Sequence, residues 1–115
     1  MSLVYVVQTH MRYDAKMGEL VSRYDLRPAE RFGRLRFILN QKQTLARVEP
    51  RQLISKMDMV LKNYTDLDYL LLIGSPVLIG WATALAAKNN GGRIQQLVWE
   101  SAQQDYTVVK SCLPF

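Results

Sequence analysis

The sequence predicts an α/β fold: a single domain over residues 1–115, built on a mixed sheet of about five to six strands with two main helices and a central βαβ unit. Three observations predict it. Tyr69–Ile73 is a short run that is apolar on both faces, as a strand covered from both sides requires. Ser75-Pro76 follows at once with the chemistry that opens a helix. Strand-like and helix-like segments also alternate through the second half of the chain, which builds a sheet with helices packed on it.

The elements follow in order. Leu3–Gln8 is β-branched and aromatic, a strand pattern. Residues 14–18, Asp-Ala-Lys-Met-Gly, have turn chemistry, and Glu19–Leu26 resumes an extended alternation. The simplest arrangement is a hairpin of residues 3–13 and 19–26, an extension spanning residues 3–26. Pro28–Phe32 makes one helical turn, and Gly33 ends it by taking a left-handed conformation. Arg34–Leu39 reads as a strand, and residues 40–49 as a polar loop. Pro50 opens a helix to about Asn63. Leu53, Ile54, Met57, Val60, Leu61 and Tyr64 form its apolar face, opposite Arg51, Ser55, Asp58 and Lys62.

After the strand at residues 69–73, Ser75 supplies an N-cap oxygen and Pro76 occupies the first helical position, where its missing N–H costs nothing. This helix runs to about Asn90 and stops at Gly91-Gly92. Arg93–Trp99 is the next strand. Ser101–Gln104 turns the chain into Tyr106–Lys110, an antiparallel edge strand. Parallel pairing of residues 69–73 with 93–99 makes the crossover through residues 75–92 right-handed.

Composition narrows the function classes. The chain is 49% hydrophobic and 22% charged, which suits a globular protein and not a disordered one. Its one cysteine, Cys112, excludes an intrachain disulfide and a cysteine-rich metal site, and fits a reducing compartment. Residues 1–5 lack the basic start of a secretory signal. Leu70–Ala87 carries no charge over eighteen residues, near the minimum for a membrane span. Gly74-Ser75-Pro76 divides it into a strand and a helix, so no membrane span is expected.

The net charge of +5 is uneven: residues 1–62 hold twelve Lys/Arg against six Asp/Glu, and residues 63–115 hold three against four. Such asymmetry can mark an acidic partner.

Four sets of residues could carry function. Gly74 and Ser75 form a strand-to-helix corner of the kind that binds ligands, and Glu100 closes the following strand where a ribose-binding acid would stand. The phosphate-loop spacings are absent, however, and Pro76 removes one N–H donor. A capped structural helix is the better reading. Arg23, Arg27, Arg31, Arg34 and Arg36 cluster with Tyr24, Phe32 and Phe37, a mixture able to hold phosphates and stack bases. With Phe32 and Phe37 pointing inward, the arginines become a solvated rim, so nucleic acid is not the favoured partner.

The helix after Pro76 is apolar around its whole circumference, which predicts burial on every side. Gly80, Trp81, Ala84 and Ala87 then mark a candidate subunit interface. Catalysis lacks a constellation. His10 has no acid or nucleophile partner, Cys112 fits an edge strand, and Asp66 and Asp68 fit a turn. No cofactor and no metal site is expected.

Several segments together resemble a group of small proteins of tailed bacteriophages, notably marine ones. They are Val4–Gln8, Pro28–Leu35, Asp68–Gly80, Ala86–Arg93 and Trp99. The resemblance implies a phage gene product acting in the bacterial cytoplasm or in the virion, and transfers no catalytic residue. The expected function is a non-enzymatic phage accessory protein that binds a host macromolecule, such as a host protein, as a homo-oligomer. The alternative is a nucleotide- or nucleic-acid-binding module using the Gly74-Ser75 corner or the arginine cluster.

Overall fold

A computed structural model describes residues 1–115. In chain order its elements are Leu3–Gln8 (β1), Met11–Asp14 (β2), Glu19–Ser22 (β3), Arg34–Leu39 (β4), Pro50–Leu61 (α1), Tyr69–Leu71 (β5), Pro76–Asn89 (α2), Arg93–Glu100 (β6) and Asp105–Cys112 (β7). A 3-10 turn at Arg27–Arg31 lies between β3 and β4. The main sheet has the order β4-β1-β5-β6-β7. Its first four strands are parallel and β7 is antiparallel to β6. The α/β class and the central βαβ unit, β5-α2-β6, are as the sequence predicts.

The first strand does not belong to a hairpin with residues 19–26. β1 lies between β4 and β5, and the hairpin is β2 with β3 alone, in a separate two-stranded sheet. The physical reason is burial. Val4 to Val7 are at most 1% exposed, so both faces of β1 need cover that a two-stranded hairpin cannot give. The chain leaves β1 at Thr9-His10, where the Thr9 N–H donates to the Leu39 carbonyl at 2.9 Å.

The two faces of the sheet are unequal. On one, α1 and α2 pack against each other and against Tyr5, Val7, Ile38, Leu70 and Ile94, in a core of fifteen buried residues. Full burial of Leu53, Met57 and Leu61 on α1 contributes about 1.5–3 kcal/mol for each side chain. On the other face only six buried residues form a core: Val4, Val6, Ala29, Leu71, Leu97 and Tyr106. A doubly wound sheet carries a helix on this face. Here the connection from β1 to β4 contains only the hairpin and the short 3-10 turn, so the cover is partial.

Local chemistry explains the boundaries. Ser75 caps α2, its Oγ accepting from the Leu78 N–H at 3.3 Å, with Pro76 at the first position. Gly91 and Gly92 have φ of 62° and 86°, and the Gly92 N–H donates to the Ala87 carbonyl at 2.7 Å, closing the helix. Gly33 acts differently from expectation. It is not left-handed; a Cβ there would lie 2.6 Å from the Ser2 carbonyl oxygen, so glycine permits the close approach of β4 to the start of β1.

Two further expectations are corrected. Phe37 does not point inward and is 45% exposed, whereas Phe32 packs on the smaller core. α2 is not buried on every side. Leu78, Ala82, Ala86 and Ala87 face the core, but Val77, Gly80 and Ala84 are exposed, because no layer lies above the helix. No helix is long and apolar enough to cross a membrane.

Candidate functional site

The thin cover of the second face leaves a crevice at the carboxyl ends of the central strands. β5 and β6 pair only at Leu70↔Gln96 and Leu71↔Leu97, yet β6 continues to Glu100. Beyond Leu71 the chain stays with β1, since the Ile73 carbonyl accepts from the Gln8 N–H at 2.9 Å. The loop after β3 forms one wall of the opening, leaving an open cavity of about 670 Å³. Leu71, Ile73 and Leu97 line it with aliphatic groups, and Trp99, Tyr106 and Tyr24 add aromatic ones. The Trp99 and Tyr106 rings meet edge to face, 5.0 Å between centroids. Size, apolar lining and position outside the carboxyl ends of parallel strands are those of a ligand site in an α/β protein.

Three polar side chains line the crevice: Arg23, Asp25 and Gln104. Asp25 is already engaged. Arg27 Nε donates to its Oδ1 at 3.0 Å and Nη2 to its Oδ2 at 3.1 Å, which holds the carboxyl below its ordinary pKa. Arg23 has no carboxylate partner; its guanidinium carbon lies 6.0 Å from the Tyr24 ring centroid. The Gln104 amide donates to the Ser101 carbonyl at 2.8 Å and stabilises the turn between β6 and β7. Burial, and then the neighbouring Asp25 charge, raise the Tyr106 pKa, so its phenol stays neutral at physiological pH. The crevice is therefore apolar with one uncompensated positive group at its margin.

A smaller cavity of about 50 Å³ adjoins it, and the two share Tyr24 and Ile73. His10 belongs here and not to a strand. Its ring stacks on Tyr24 at 5.7 Å, and its Nδ1 is buried without a hydrogen-bond partner. No group of three or more His, Cys, Asp or Glu is placed to hold a metal ion.

The residues singled out from sequence are distributed as follows. Gly74 lines the crevice beside Gln8, while Ser75 is used in capping α2 and Glu100 is exposed at the end of β6. The three do not share a site. Among the arginines only Arg23 reaches the crevice. Arg27 pairs with Asp25, and Arg31 pairs with Asp105 at 2.8 Å while lying over the Phe32 ring. Arg34 and Arg36 are exposed on β4. Of the proposed interface set, Gly80 and Ala84 are exposed, Trp81 is half-buried and Ala87 is fully buried. Cys112 is exposed at the end of the edge strand, as expected.

Sequence reasoning missed Leu97, Trp99, Tyr106 and Asp25 as crevice residues. One signal was available for Trp99: an aromatic residue at the carboxyl end of a strand next to a strand-to-helix corner. No curated protein and no solved structure matches the chain. A family model does match, over residues 2–112, and with it the chain belongs to the phage Pam3 gp32-like proteins.

Proposed function

We propose that this phage protein is a non-enzymatic accessory protein that binds a host macromolecule through the crevice at the ends of β5 and β6. One observation carries the reading: a cavity of about 670 Å³ with an apolar floor, left open where the fold omits a covering helix. Its lining supports binding over catalysis. It holds no histidine, cysteine, serine or lysine, and its single carboxylate is committed to Arg27. Arg27 and Arg31 are tied to carboxylates and only Arg23 of the five arginines lines the crevice, which weighs against the nucleic-acid alternative there, since a phosphate backbone needs several free cations along one surface.

Self-association belongs to the same reading, through the exposed apolar residues Val77, Gly80 and Ala84 of α2. The host cytoplasm is the compartment in which such binding would occur.

The test is affinity capture from host lysate with the wild-type chain and a folded Arg23→Glu, Trp99→Ala variant. Both side chains are exposed enough for the fold to survive their replacement. The wild type should retain a reproducible host component that the variant loses. Equal retention by both proteins would reject the crevice as the binding site.

A further inference from the structure

We infer that the crevice receives an aromatic side chain standing beside a carboxylate on a protein partner, an inference that rests on the crevice being the binding site. Trp99 is 41% exposed and Tyr24 43% exposed, and both line the same cavity. Exposed aromatic faces over an aliphatic floor favour a planar apolar guest, because offset and edge-to-face ring pairs add to the gain from burial.

Charge sets the second requirement. The Arg27 guanidinium answers the only carboxylate in the lining, whereas Arg23 has no acid of its own. A guest that carries one anion would complete Arg23 with a charge-assisted hydrogen bond. A neutral guest would leave it unpaired, and a cationic guest would meet repulsion.

The scale of this charge also separates protein from nucleic acid. Near the crevice Arg27 and Arg31 are tied to Asp25 and Asp105, and Glu100 adds a negative group at the end of β6. One free cation suits a single carboxylate. It does not suit a run of phosphates.

The experiment uses two fluorescent probes with the same rings, 8-anilinonaphthalene-1-sulfonate and the neutral N-phenyl-1-naphthylamine. The chain has two tryptophans and six tyrosines, so Trp81→Phe, excited where only tryptophan absorbs, leaves Trp99 as the sole donor for energy transfer. Both probes should quench Trp99. Arg23→Gln should weaken the sulfonate about tenfold, the worth of one charged hydrogen bond, and leave the neutral probe within about twofold. Arg23→Lys should restore part of the loss. Acetyl-Trp-Glu-amide should displace the sulfonate probe more effectively than adenosine monophosphate does.

Quenching by both probes with no selective effect of Arg23→Gln would overturn the anion requirement while leaving the crevice as a binding site. Stronger displacement by the nucleotide would overturn the choice of a protein partner. Failure of both probes to quench Trp99 would instead remove the crevice reading itself.

Discussion

Asp68 is only 3% exposed, at the point where the chain enters β5. Its Oδ1 accepts from the Leu3 N–H at 2.9 Å, and its Oδ2 accepts from the Thr65 N–H and Oγ1 at 2.8 and 2.9 Å. One carboxylate therefore ties the start of β1 to the loop that precedes β5. Asp68→Ala strands those donors, and urea unfolding should show a loss on the order of 3 kcal/mol. Asp66 offers the contrast two residues earlier. Its pairing with Arg93 at 2.9 Å is exposed, so Asp66→Ala should leave the unfolding midpoint nearly unchanged.

Nearby, Tyr64 donates to the Asp68 carbonyl at 3.2 Å and accepts from the Gln95 N–H at 2.9 Å. Burial pushes its pKa up to about 12 from 10.0. The folded state thus holds this proton more tightly than the unfolded chain. The stabilisation is complete below about pH 10 and fades as pH rises toward 12. Denaturation followed across that interval should show the decline, with a smaller decline in Tyr64→Phe.

At the scale of elements, the turn between α2 and β6 is the most sharply determined. Gly92 has φ of 86°, and a Cβ there would collide with the Leu113 carbonyl, whose own N–H donates to the Gly92 carbonyl at 2.7 Å. Gly92→Ala should cost several kcal/mol, or abolish folding, because it combines a left-handed backbone with a clash. Ser75→Ala should cost only about 1 kcal/mol, the usual worth of an N-cap. Thermal unfolding of the two variants checks both values.

Elements of this kind were legible in the sequence because their signals are local. Ser75-Pro76 opens α2 and Gly91-Gly92 closes it, as their chemistry dictates. The pairing of β1 was not legible. Its run, apolar on both faces, asks for cover on both sides, but its parallel partners β4 and β5 lie far along the chain and carry no local signal of the pairing. The exposed side of α2 was hidden for a related reason, since an apolar helix circumference does not reveal how many layers lie around it. The crevice is harder still to read. It exists because a covering helix is missing, and Arg23 and Trp99 meet there only through the fold.

Across the whole molecule, the two faces of the sheet are covered to unequal depth. The thick core under α1 and α2 provides stability, and the thin core beneath the 3-10 turn provides access. The outer side of α2, with Val77 and Ala84 exposed, should make the mass measured by light scattering rise with concentration. An Ala84→Glu variant should remain at the mass of one chain.

The most direct measurement is hydrogen exchange of the protein alone and with its captured host partner. The expected result is new protection in residues 23–28, 72–74 and 97–99, the segments that surround the crevice. Unchanged exchange there, with protection confined to α2 or to the opposite end of the sheet, would contradict binding at the crevice.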